Sequence, residues 1–137
     1  MADSNKKVLV VEDDGMLAQM IANQVSKKYS TVTVHDGEEA MQKIKSEKPD
    51  LMVLDLLLPK LDGFGVIRQM RTLPDPVLSK IPVIVISNLR DEESVKKMQQ
   101  FGIEDFFIKS DISFGILLNR INRVFTQGAM FNKMQAV

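Results

Sequence analysis

Residues 51–63 read LMVLDLLLPKLDG, and seven of the first eight are large and apolar. The exception is Asp55. A carboxylate among buried apolar neighbours is costly unless something pairs with it. The four residues before it, Leu51–Leu54, form a continuous apolar run with no alternation. That pattern suits a strand covered on both faces. The remainder, LLLPKLDG, reads as a loop that leads into the next helix.

Similar short runs lie at Val8–Val11, Thr31–His35, Val83–Ile86 and Phe106–Ile108. Amphipathic segments separate them. Leu17, Met20, Ile21 and Val25 make one helical stripe. After an Asp36-Gly37 turn, Ala40, Met41 and Ile44 make a second, and Phe64, Ile67 and Met70 a third. RDEESVKKMQQFG has acids in its first turn, lysines later and Gly102 at its end, the expected helix polarity. Its apolar stripe is thin (Val95, Met98, Phe101), which predicts a lightly held helix. The last helix carries Ile112, Ile116, Leu117, Ile121, Val124 and Phe125. Five strands alternating with five helices imply a doubly wound α/β fold, a parallel sheet with helices on both faces.

The 137 residues fit one domain, and 45% hydrophobic residues supply a core. Eighteen basic and eighteen acidic residues balance to zero, which argues against a strongly cationic nucleic-acid or membrane binder. There is no cysteine, so disulfides and thiolate metal sites are excluded. VLVV is too short for a signal peptide, and no run approaches the roughly 20 apolar residues of a membrane span. The expectation is a soluble cytoplasmic chain with one domain over residues 1–127. Residues 128–137 are expected to be a tail or an extension of the last helix.

In open parallel sheets, ligands bind beyond the carboxyl ends of the strands. At those ends stand Glu12-Asp13, Asp55, Ser87 and Lys109, with Asp14 next to the first pair. Clustered carboxylates repel. Two charges about 4 Å apart cost roughly 4 kcal/mol at an effective dielectric near 20. A hard divalent cation relieves this. Oxygen ligands without His or Cys favour Mg²⁺ or a similar ion such as Mn²⁺, with waters left for a phosphate to replace. Lys109 supplies a point charge for the same anion, and Ser87 can donate to a phosphate oxygen. The set reads as a place where Asp55 attacks phosphorus to form an aspartyl phosphate.

In VLVVEDD, LMVLDLLLPKLDG, PVIVIS and DFFIK the chain resembles the receiver domain of two-component response regulators. The resemblance runs over nearly the full length and implies a stand-alone, chemotaxis-regulator-like receiver. It implies a flavodoxin-like (βα)5 fold with strand order 2-1-3-4-5. Glu12 and Asp13 match the family's acidic metal pair, and Leu57 the position whose backbone carbonyl binds the metal. Asp55 matches the phosphoacceptor, with Pro59 and Gly63 at the family's spacing after it. Ser87 matches the switch hydroxyl, Lys109 the family's lysine, and Phe106 the aromatic switch. Leu57 and Leu89 match positions that influence the hydrolytic water, so two leucines there predict slow self-dephosphorylation. The implied partners are a sensor histidine kinase or phosphotransfer protein, and a downstream protein on the face of the fourth helix, fifth strand and fifth helix. No direct nucleic-acid contact is expected. The oligomeric state is left open, and a phosphorylation-dependent dimer is one arrangement the family permits. Two positions depart from the pattern. Ser110 follows Lys109 where the family has Pro, often through a cis bond. Asn88 follows Ser87 where the family has a smaller residue, and its bulk is expected to narrow access to the phosphoryl group.

Other residues read as structural. Asp14 caps the first helix, with a metal role as the alternative. His35 is a strand-end histidine and not a phosphorelay residue. The nine methionines are adaptable core filler. The pairs Lys6-Lys7 and Lys27-Lys28 are solvated, while Lys96-Lys97 could serve a partner face. Two other functions compete with the phosphorylatable regulator. One is a degenerate receiver that binds partners independently of phosphorylation. The other is an aspartate-nucleophile phosphatase, disfavoured because such enzymes carry Asp-x-Asp after the first strand and this chain has Glu12-Asp13-Asp14.

Overall fold

A computed structural model describes residues 3–89 and 91–128. Its strands are β1 (Asp3–Val11), β2 (Tyr29–Val34), β3 (Leu51–Asp55), β4 (Val83–Ser87) and β5 (Asp105–Ile108). Its helices are α1 (Gly15–Val25), α2 (Gly37–Glu47), α3 (Gly63–Arg71), α4 (Pro76–Ser79), α5 (Glu92–Gln100) and α6 (Phe114–Gln127). The strands form one parallel sheet in the order β2-β1-β3-β4-β5, as expected for the flavodoxin-like fold.

The continuous apolar runs sort into two layers with the period of a strand. Leu9, Val11, Met52, Leu54, Val83 and Val85 face one side. Met41 and Ile44 of α2, Val66, Ile67 and Met70 of α3 and Met98 of α5 cover them. Val8, Val10, Leu51, Val53, Ile84 and Ile86 face the other side. Ile21 and Val25 of α1 and Leu117, Ile121 and Val124 of α6 cover these. Every residue of β3 and β4 is buried, so the sheet's middle has no wet face and no use for polar alternation.

Five of the helices begin at an aspartate whose side chain accepts backbone N–H groups: Asp14, Asp36, Asp62, Asp75 and Asp91. Each carboxylate satisfies orphan donors and faces the positive end of the helix. Ser113 does the same for α6. Asp14 is therefore a cap, accepting from Met16 N–H and Leu17 N–H.

The structure corrects several expectations. Residues 72–82 contain the short helix α4, started by Asp75 and Pro76, so the described residues form six helices and not five. Counting from the N-terminus, the expected fourth and fifth helices are α5 and α6. A 3₁₀ turn, Lys109–Asp111, separates β5 from α6, and Ile112 lies ahead of the last helix instead of within it. Met20 and Ile116, read as core, are 45% and 51% exposed. Their helices bury the neighbouring positions 18, 21 and 25, and 117, 121 and 124. Asp36-Gly37 is the start of α2, not a free turn. Gly128 closes α6, and the rest of the expected tail lies outside the described residues. Among the described residues no helix is long and apolar enough to cross a membrane.

Tyr29 anchors α6 to β2. Its hydroxyl donates to Asn122 Oδ1, and its ring meets Phe125 edge to face at 4.8 Å. On the opposite layer, α5 buries only Met98. Its C-terminal end is held by Arg71, the last residue of α3. The guanidinium donates from Nε to Phe101 O (2.8 Å) and from Nη2 to Gly102 O (3.0 Å). From Nη1 it donates to Ser79 O (3.0 Å) and Ile81 O (2.7 Å). Burial pulls its pKa down to about 10, against the opposing charge of Glu104, so it stays cationic at neutral pH. Arg71→Met leaves four carbonyls without this donor and should cost about 2–4 kcal/mol in urea unfolding. Arg71→Lys should recover only a small part of that, because one ammonium cannot span diverging acceptors.

Candidate functional site

Parallel strands deliver their carboxyl ends to a single edge. Glu12 and Asp13 follow β1, Asp55 ends β3, Ser87 ends β4 and Lys109 follows β5. Lys109 Nζ donates to Asp55 Oδ2 at 2.9 Å and to Glu12 Oε2 at 3.0 Å. Glu12 Oε1 lies 2.7 Å from the same ammonium but takes no aligned hydrogen bond from a described residue. Glu12, Asp55 and Ser87 are essentially inaccessible to solvent, while Asp13 is exposed. Ser87 stands one residue beyond Ile86, the register partner of Asp55, and its Oγ accepts Leu89 N–H at 3.3 Å.

Carboxylate oxygens of Glu12, Asp13 and Asp55 all lie within 4.8 Å of one another. With one ammonium beside three carboxylates, full ionisation leaves two negative charges in excess. Burial pushes the Glu12 carboxyl up to about 7, and the Asp55 charge adds to the rise. Hydrogen bonds from Lys109 and Asp14 N–H work against it. Burial tends to lower the Lys109 pKa, but the bonds to Asp55 and Glu12 outweigh it and the pKa is raised. The lysine therefore stays charged. An all-oxygen set with spare lone pairs and unbalanced negative charge fits a hard divalent cation, Mg²⁺ above softer metals.

The loop after β3 is held in place by two glycines. A Cβ on Gly63 would lie 2.5 Å from Asp55 O, and Gly63 N–H donates to Leu56 O at 2.9 Å. A Cβ on Gly37 would lie 1.8 Å from Leu61 O. Gly37 thus admits the loop against the start of α2, helped by Lys60 at 3.6 Å from Asp36. Sequence reading missed this role, since Asp-Gly carries the same letters in a turn and in a close approach. Leu57 N–H donates to Asp55 Oδ1 at 3.2 Å, and the Leu57 side chain is 55% exposed. Phe106 is half-buried in β5. The exposed His35 donates from Nδ1 to Glu12 O at 3.0 Å. Lys97 lies 4.5 Å over the Phe64 ring, tying α5 to α3. Asn88 and Ser110, the two departures, touch: Ser110 N–H donates to Asn88 Oδ1 at 3.1 Å.

A family model described as the response regulator receiver domain matches residues 8–122. The chain is 37% identical over 107 residues to the alkaline phosphatase synthesis transcriptional regulatory protein PhoP of Bacillus subtilis, covering 77% of this chain and 42% of that one. It spans less than half the length of the curated relatives it matches. Among solved structures, the Francisella response regulator 1452 receiver domain superposes with a TM-score of 0.80 at 30% identity, over 90% of this chain and 98% of that one. The phosphorylated cyanobacterial phytochrome response regulator RcpA gives 0.79 at 29% identity, over 89% and 95%.

The raised Glu12 pKa sets a pH dependence. Between the ordinary value of 4.5 and about 7, the folded metal-free protein keeps a proton on Glu12 that the unfolded chain has lost. Stability from this group is therefore present at low pH and lost as pH rises through that window. Urea unfolding in EDTA should show the decline in wild type and a flatter profile in Glu12→Gln, which cannot ionise. Equal slopes in the two proteins would contradict the burial account.

Proposed function

The chain belongs to the response regulator receiver domain family, and from that premise we propose that it is a phosphorylatable switch with Asp55 as the phosphoacceptor. The observation that carries the reading is the Lys109 ammonium shared between Asp55 and Glu12 at the sheet edge. The donor is a phosphohistidine of a sensor kinase or phosphotransfer protein. An Asp55 carboxylate oxygen attacks phosphorus, the phosphorus–nitrogen bond breaks, and the imidazole leaves with its electron pair and takes up a proton. Lys109 moves its charge from the Asp55 carboxylate to the transferred group, and Ser87 Oγ–H donates to one of its oxygens. Glu12, Asp13, Asp55 and the Leu57 carbonyl would hold Mg²⁺, or Mn²⁺ in its place. The ion supplies charge neutralisation for the incoming phosphoryl group.

The chain is not a turnover enzyme in this reading. It accepts one group and later hydrolyses it. Output passes through the α5–β5–α6 face. The single buried residue of α5 and the half-buried Phe106 leave α5 and β5, in contrast to the anchored α6, lightly held and able to move at low cost. The phosphoryl group brings about −1.5 to −2 charges in place of the single negative charge of the Asp55 carboxylate, and the inward turn of Ser87 towards it would draw the α5 end of the loop.

Radiolabel from a small phosphodonor with Mg²⁺ should appear on wild type and not on Asp55→Asn. Labelling of that variant at the wild-type rate would remove Asp55 from its role. Mg²⁺ at 100 times its dissociation constant should stabilise wild type by about 2.7 kcal/mol in thermal unfolding. Asp13→Ala should lose that gain. The exposed Leu57 side chain cannot hydrogen-bond a water. Leu57→Asn, which can, should speed loss of label by about tenfold, the scale of one added hydrogen bond. An unchanged decay would assign the lifetime to other residues.

A further inference from the structure

Positions 88 and 110 directly follow the switch hydroxyl and the site lysine, and both depart from the family pattern described above. In this fold they form one bond, Ser110 N–H to Asn88 Oδ1 at 3.1 Å. The donor is a backbone N–H, so the atom facing it has to be the amide oxygen, which fixes the orientation of the Asn88 side chain. A proline at 110 has no N–H to give. An alanine or glycine at 88 has no oxygen to receive it. Each departure is therefore without effect on this contact unless the other is present.

The bond crosses between neighbouring strands. Ser87 and Ile108 are register partners at the ends of β4 and β5. Beyond them the ladder stops, and the two loops part: one towards Leu89 and α5, the other into the turn Lys109–Asp111. The Asn88–Ser110 contact bridges the two strands just past the ladder, one residue beyond Ser87 and two beyond Ile108, with a side-chain amide in place of a backbone carbonyl. Both residues are exposed, so the contact lies on the outer lip of the site. We infer that Asn88 and Ser110 are positioning residues for phosphoryl transfer: their bond keeps Ser87 and Lys109 in one register, so that hydroxyl and ammonium reach the same phosphoryl group. Asn88 is then not the steric obstacle its bulk suggests, because its oxygen is engaged sideways by the next loop. This inference rests on Asp55 being the phosphoacceptor.

The test has one arm that needs no phosphorylation. Hydrogen exchange at the Ser110 amide, followed by NMR in EDTA, should quicken about three- to tenfold in Asn88→Ala and stay slow in Asn88→Asp, which keeps an acceptor. The second arm is the rate of label uptake from a small phosphodonor with Mg²⁺. Asn88→Ala and Ser110→Pro should each slow uptake about three- to tenfold. The double variant should be no slower than either single one, because both remove the same bond. A merely structural role would move unfolding midpoints without that non-additivity. Slowing that multiplies in the double variant, unchanged uptake, or faster uptake in Asn88→Ala would each overturn the inference. Asp55→Asn separates the two readings: wild-type labelling of it sinks the phosphoacceptor assignment, whereas unaltered Ser110 exchange in Asn88→Ala sinks the latch alone.

Discussion

The Lys109 ammonium lies against two buried carboxylates, and the rest of the site is arranged around that contact. Glu12 and Asp55 sit on adjacent strands with almost no access to water. Two such groups repel strongly unless a positive charge lies between them. Lys109 provides it from the far edge of the sheet, two strands away from Asp55. The contact therefore exists only when β1, β3 and β5 all lie in register. Fold and site are in this sense one constraint: a misplaced edge strand leaves a buried acid uncompensated. A single ammonium also leaves the cluster short of positive charge, so the site is stable yet receptive to a cation.

The two-layer packing explains how such a site is carried. β3 and β4 are buried on both faces and offer a stiff platform, while helices of unequal grip surround it. α6 is locked to β2 through Tyr29, Asn122 and Phe125. α5 is attached mainly at its C-terminal end, where Arg71 binds the following carbonyls, Met98 is buried and Lys97 lies over Phe64. The strands hold the site residues on a rigid platform, and α5, with Met98 alone buried, is packed more lightly than α6.

Most of this was legible in the sequence because apolar runs and strand-end acids obey short-range rules. Continuous VLVV, LMVL and VIVI suit interior strands, and alternation with amphipathic segments implies a parallel sheet. Glu12, Asp13, Asp55, Ser87 and Lys109 followed from the strand ends. What escaped depends on approach between distant segments. Gly37 faces Leu61, Arg71 reaches carbonyls at four positions, and Asn88 meets Ser110. None of these leaves a periodic trace. Met20 and Ile116 failed for a related reason: helical spacing allows an apolar stripe to be wider than the face that is covered.

The Arg71 anchor also bears on how such a chain can diverge. The four acceptors described above are all backbone carbonyls, which every amino acid supplies. Side chains at 79, 81 and 101 can drift as far as their own packing allows without loosening the grip. Gly102 is held for a different reason, its left-handed backbone. Position 71 has no such latitude, since no other side chain presents donors in that fork. The surface of α5 can therefore vary widely while the end of the helix stays fastened through one residue of a neighbouring helix.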